Sequence, residues 1–190
     1  MPERVEELLL LDAAHEPQQL ETGVAGGVAV AYSCRDPHKE SENEDTVAII
    51  PYGPAAAVLV VCDGAGGLPA GKRASLTAVT TLADSLHASM NQTALLRTAI
   101  LNGIEAANNA VLALANGSAT TMTVITIEGL LARSYQIGDS EAIIVGQRGV
   151  VKLQTTAHSP TGFAVEAGFL DEREACLLYT SDAADESSSV

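Results

Sequence analysis

Hydrophobic and polar positions change period twice along the chain. In residues 27–62 the apolar residues gather into short runs: "GVAVAYS" at 27–33, "TVAII" at 46–50 and "AAVLVVC" at 56–62. Such runs, bounded by polar or Pro/Gly segments, predict strands, and a tight turn joins the last two. From residue 79 the spacing lengthens. Val79, Leu82, Ala83, Leu86 and Met90 recur at helical intervals, as do Leu96, Ala99, Ile100, Gly103, Ala107, Ala110, Val111 and Leu114. Two helices are predicted, with Gly117 of "ANGSA" placed to cap the second. The strand-like period then returns in "TTMTVITI", "LARSYQI", "EAIIVG" and "VVKLQ", separated by "EG", "GDS" and "QRG". Links that short favour an antiparallel meander over parallel βαβ units. Strands, two helices, then strands predict an α+β fold with helices laid over a sheet, not a doubly wound one. Residues 1–20 read as a short acidic helix or a loose tail.

Composition narrows this picture. The 190 residues suit one domain. Hydrophobic residues make up 47% but aromatics only 3%, without tryptophan, so the core must be Ala, Val, Leu and Ile. The formal charge is −14, from 24 acidic and 10 basic residues. That argues against nucleic acid as a partner, because binding there rests on Lys and Arg displacing counterions. It argues equally against an anionic membrane surface. Cys34, Cys62 and Cys176 are far apart and form no CxxC, so they predict free thiols in a reducing compartment rather than a zinc site. The opening "MPERVEELLLLDAAHEP" has acidic flanks and no small-residue cleavage site, unlike a secretory signal. No apolar run approaches the ~20 residues of a membrane helix. A cytoplasmic protein is expected.

Chemistry is suggested where strands meet carboxylates. "ENEDT" brings Glu44 and Asp45 to the start of one predicted strand, and "CDGAGG" sets Asp63 and Gly64 at the end of the next. Hairpin partners would bring these ends together. Crowded carboxylates repel, and a hard divalent cation resolves the conflict, since Mg²⁺ and Mn²⁺ prefer carboxylate, carbonyl and water oxygens. Glycines beside Asp63 would leave room for metal and substrate. Plainer readings stand beside these. An Asp-Gly after a strand is commonly a turn, and "ENED" taken alone is commonly a solvated acidic loop.

Taken in order, "NEDTVAI", "VVCDGAGGLPAGKRAS", "ATTMTVITI", "YQIGDSEAIIV" and "TTAHS" resemble the metal-dependent protein serine/threonine phosphatases, the PPM or type 2C family. The resemblance covers residues 43–159 and weakens toward Ala175. It implies a layered β-sandwich flanked by helices, with a two-metal centre holding Mn²⁺ or Mg²⁺. It implies hydrolysis of phosphoserine and phosphothreonine in phosphoproteins by a metal-activated water, with no protein nucleophile. By position, Asp63 would bridge the metals and Gly64 would offer its carbonyl. Glu44 would hold metal-bound water or ligate directly, with Asp45 beside it. Asp139 of "GDS" matches a position for a weaker third metal, and is otherwise a turn residue. His158 would be a proton donor or a structural loop residue.

The chain departs from the family pattern at three places. Glu40 stands where the family carries a phosphate-binding arginine, so Arg35, His38 or Lys39 would have to substitute. Ala157 replaces the acidic residue of "DHS". The later metal-binding "DG" and "DN" blocks have no match after Ala175. The resemblance therefore implies a partial phosphatase domain over residues 21–175, with a sandwich incomplete at its C-terminus and impaired activity. A non-catalytic scaffold that binds a phosphoprotein is the alternative. "CLLYTSDAADE", residues 176–186, resembles a translated sequencing adapter, so residues 176–190 are expected to be a non-native tail.

Overall fold

The computed structural model describes residues 8–12, 15–38, 41–65, 70–90, 95–159, 163–164, 167–168 and 171. The chain divides into two compact units, Met1–Tyr135 and Gln136–Val190.

The first unit is built on a five-stranded sheet. Its strands are β1 (Leu9–Leu11), β4 (Thr46–Pro51), β5 (Ala56–Cys62), β8 (Met122–Glu128) and β9 (Leu131–Ile137), and they lie side by side in that order. The pairs β1/β4, β4/β5 and β5/β8 are antiparallel. A second hairpin joins β2 (Gln18–Val24) to β3 (Gly27–Ser33). Its two-residue turn has φ of 50° at Ala25 and 76° at Gly26. Two successive positive φ angles match the twist of the flanking strands. Two short strands, β6 (Gly64–Ala65) and β7 (Ala119–Thr120), pair beyond the end of β5.

Because strand side chains alternate, the central sheet has two apolar faces. Ala48, Ile50, Val58, Val60 and Cys62 pack with Leu82, Leu86 and Ile100 of helices α1 (Ala70–Met90) and α2 (Leu96–Leu112). Leu9, Leu11, Val47, Ile49 and Leu59 face the other way and pack with Leu20, Val24, Ala29 and Ala31 of the β2–β3 hairpin. Helices, central sheet and hairpin make three layers, the α+β sandwich that the pattern of apolar runs predicts. The near-absence of aromatics is met by small residues. Gly103 of α2 sits so close to α1 that a Cβ there would meet Leu82 Cδ1 at 2.5 Å.

In the second unit, β10 (Ile143–Val145) and β11 (Val151–Gln154) form an antiparallel hairpin with a register shift between Ile144 and Val145. No helix among the described residues is long and apolar enough to cross a membrane.

Four expectations are corrected. Leu9–Leu11 form an edge strand on β4 rather than part of a helix or loose tail, because their alternating leucines cover both faces of the sheet's rim. Among the described residues the predicted meander stops at β9, since β10 and β11 pair with each other in a separate two-stranded sheet. Helix α1 begins at Ala70, nine residues before Val79, the first residue of the predicted stripe, because Ala74, Ser75 and Ala78 are small enough to be buried in its first turns. Helix α2 ends at a cap on Ala113, and Gly117 lies in the following turn with φ of 76°. The expected adapter-like tail, residues 176–190, lies outside the described residues.

Candidate functional site

The β4–β5 hairpin fixes the geometry. Its last pair at this end is Thr46 with Cys62. The residues just before β4, Glu44 and Asp45, therefore leave the sheet beside those just after β5, Asp63 and Gly64. The apolar runs buried under α1 bring four of the candidate residues to one rim.

Glu44 is half-buried, and its Oε1 is fully buried with no hydrogen-bond partner among the described residues. Gly71 presses against it, and Gly64 presses against the backbone of Glu44 and Gly71. A Cβ on Gly71 would stand 2.5 Å from Glu44 Oε1, 2.7 Å from its Cδ and 2.8 Å from the Gly64 carbonyl carbon. A Cβ on Gly64 would lie 2.1 Å from the Gly71 backbone oxygen and 2.9 Å from the Glu44 backbone oxygen. Carboxylate, strand end and first turn of α1 thus meet at distances that no other residue type permits at either position. A buried carboxylate oxygen left unpaired is costly, and a divalent cation is the partner its chemistry suits.

Asp63 is exposed, but its backbone is locked. Its N–H donates to Thr121 Oγ1 at 2.9 Å, and its carbonyl accepts from Thr121 N at 2.8 Å and Thr120 Oγ1 at 2.9 Å. Gly64 pairs with Thr120 and is buried. The loop before β4 is held as firmly. Asp45 N–H donates to Asn43 Oδ1 at 3.2 Å, and buried Asn43 donates in turn to Ser33 Oγ at 2.7 Å. Lys72 Nζ donates to the Asp45 carbonyl at 2.9 Å. Ser75 Oγ donates to the Glu44 carbonyl at 2.5 Å and lies 2.8 Å from Thr46 Oγ1. A hydroxyl has one proton, so with Ser75 donating to Glu44, Thr46 donates to Ser75. Burial lowers the Lys72 amine below its ordinary range, while the nearby carboxylates of Asp12, Asp45 and Glu42 pull it back up.

The other candidates are placed differently. Asp139 is exposed in the bend after β9, in the second unit. His158 is also in that unit; its N–H donates to the Gly138 carbonyl at 2.8 Å and its ring stacks on Phe163, 5.9 Å between centroids. Both features fit a structural loop histidine. Arg35 is half-buried and His38 exposed, with the His38 N–H donating to Asp36 Oδ1 at 2.9 Å. Lys39 and Glu40 lie outside the described residues. Among the described residues, no group of three or more His, Cys, Asp or Glu side chains gathers closely enough to hold a metal ion. Cys62 is fully buried, and burial pushes its thiol up to about 12 against the lowering effect of a hydrogen bond from Thr120. It is no nucleophile at neutral pH.

Sequence reasoning missed Gly71, Lys72, Ser75, Thr120 and Thr121. "GKRAS" carried one signal: positions 72 and 75 are three apart and share a helix face.

The chain is similar to known serine/threonine phosphatases. The family model described as protein phosphatase 2C matches residues 36–177. The S. agalactiae serine/threonine phosphatase superposes with a TM-score of 0.64 at 27% identity, over 85% of this chain and 63% of that one. The M. tuberculosis serine/threonine phosphatase PstP/Ppp gives 0.59 at 22% identity, over 84% and 61%. A PstP catalytic domain in complex with two manganese ions gives 0.58 at 22% identity, over 89% and 65%. The chain thus spans less than two thirds of the length of these relatives. Comparison with curated proteins gave no match. A family match across most of the chain, on a sandwich whose rim gathers Glu44, Asp45, Asp63 and Gly64, places the chain in the protein phosphatase 2C family.

Proposed function

We propose that the chain carries part of a Mn²⁺- or Mg²⁺-dependent site for hydrolysing phosphoserine and phosphothreonine in proteins, with Glu44, Asp45, Asp63 and Gly64 on the metal side. The observation that carries this reading is the buried Oε1 of Glu44, without a partner among the described residues, in the cradle of Gly64 and Gly71. These are hard oxygen donors of the kind both cations prefer, and a PstP relative holds two manganese ions. When bound, the cations supply a water acidified toward neutral pH and positive charge opposite the phosphoryl oxygens.

The chain's own residues prepare that chemistry. Thr120 and Thr121 lock the Asp63 backbone, so its carboxylate starts from a fixed base at the rim. Gly64 and Gly71 allow Glu44 to approach the strand end without a side chain intervening. Buried Cys62 keeps its proton and stays out of the reaction. With no three-carboxylate group among the described residues, this chain is expected to hold cations weakly and to turn over phosphopeptide slowly.

The test is unfolding of this chain with and without MnCl₂. A cation bound only by the folded state adds about 2.7 kcal/mol at a hundred times its Kd. Glu44→Gln and Asp63→Asn should each cancel that gain and any Mn²⁺-dependent phosphopeptide hydrolysis. A chain whose stability ignores Mn²⁺ at every concentration would refute the reading. A phosphoprotein-binding scaffold is the second reading. Ala157, buried at 6% exposure in place of an acidic residue, favours it. Phosphopeptide binding without any manganese response would select it.

A further inference from the structure

We propose that Lys72 is a positioning residue which, with Ser75, clamps the loop before β4 onto α1 and so keeps the Glu44 carboxylate aimed into the Gly64–Gly71 cradle. The inference rests on the reading of Glu44 as a cation ligand and assigns the device that holds it there. Two consecutive backbone carbonyls, those of Glu44 and Asp45, are each taken by a side chain from one face of one helix. Ser75 Oγ takes the first at 2.5 Å and Lys72 Nζ the second at 2.9 Å. The same helix supplies Gly71, whose missing side chain is the wall against which the Glu44 carboxylate rests. Clamp and cradle therefore move together, because residues 71, 72 and 75 lie within about one and a half helical turns.

The chemistry suits a clamp better than a surface lysine. Lys72 is half-buried, in reach of the Asp12, Glu42 and Asp45 carboxylates, yet its Nζ donates to a backbone oxygen. A charge-assisted bond to a carbonyl is about twice as strong as a neutral one. It fixes the main chain itself, which a bond to a mobile carboxylate would not do. From Asp45 the restraint continues through Asn43 to Ser33, so the loop is gripped from α1 on one side and from β3 on the other. Misplacing a ligand by about 1 Å costs roughly a hundredfold in well-ordered sites.

The full chain, labelled with ¹⁵N, gives two independent readouts. Without metal, Lys72→Met should speed amide exchange at Asp45 and Thr46 at least tenfold while Ile50, Val58 and Val60 keep their protection. With MnCl₂, paramagnetic broadening at the Gly64 and Gly71 amides should need at least fivefold more cation in that variant. Lys72→Arg should restore both, since a guanidinium can reach the same carbonyl. Ser75→Ala, which removes the other arm, should reproduce the Lys72→Met pattern and serves if Lys72→Met does not fold. Unchanged exchange at Asp45 and Thr46 overturns the clamp. Absence of broadening in the unmutated chain overturns the metal reading instead, and the exchange arm still decides whether the clamp exists.

Discussion

Gly71 is where the candidate site is least tolerant of change. Its absent side chain is the space that the Glu44 carboxylate occupies, and the nearest atoms include backbone that cannot swing away. Gly71→Ala must displace either the carboxylate or Gly64 at the start of β6. Overpacking of this kind costs about 1–3 kcal/mol, which should appear as a lower urea midpoint at an unchanged slope. Gly23→Ala is the control. Its Cβ would meet only the Gly27 oxygen at 3.9 Å, so its midpoint should barely move. Equal effects at the two positions would mean that the cradle is slack. Cys62 makes a prediction of the opposite kind, tied to solvent rather than space. Burial raises its thiol from 9.0 to about 12. Between those values the unfolded chain loses the proton and the folded chain keeps it. The folded state then binds more protons, so stability is intact below pH 9 and falls by up to about 1.4 kcal/mol per pH unit as pH rises toward 12. Urea titrations from pH 8 to pH 11 should show this slope, and Cys62→Ala should make it shallower.

Helices α1 and α2 approach through Gly103 and Leu82. A Cβ on Gly103 would sit 2.5 Å from Leu82 Cδ1, the end of a flexible side chain. Leu82 is fully buried and has no open space to swing into, so Gly103→Ala alone should destabilise the pair despite alanine's better helix propensity. For the same burial, Leu82→Ala should cost about 2–5 kcal/mol. Together the two should cost less than their sum, because truncating Leu82 empties the space that the alanine needs. Strict additivity in a double-mutant cycle would show that the helices do not touch there. The elements most legible in sequence are those whose environment matches their period. Strands β4 and β5 have apolar neighbours on both faces and read as apolar runs; α2 shows its stripe from Leu96 to Ala107. Strand β2 was not legible, because "QQLETGV" offers solvent most of its side chains and is held chiefly by pairing to β3. The site divides in the same way. Asp63 and Gly64 mark the end of an apolar run, and Glu44 and Asp45 the start of another, so their meeting follows from one hairpin. Gly71, Lys72 and Ser75 join them only through the packing of α1 back over the sheet, which no local pattern encodes.

The whole molecule sets a long-range repulsion against exposed apolar surface. Val28, Val30 and Tyr32 alternate along β3 and are 69%, 59% and 60% exposed, so they form one apolar row on the side of the hairpin away from the core. Exposed strand surface of this kind invites association. The formal charge of −14 opposes it, since like-charged molecules are held apart. That protection is electrostatic and shrinks with salt: the screening length falls from about 10 Å at 0.1 M to about 3 Å at 1 M. The expected outcome is a chain that stays dispersed at low ionic strength and associates as NaCl rises. Val30→Glu both interrupts the row and adds a charge, so it should move the onset of light scattering to higher salt. A conservative Val30→Ile change should leave the onset where it was or lower it. Scattering that ignores NaCl, or that falls as salt is added, would mean that attraction between charged groups, and not the apolar row of β3, governs how these molecules meet.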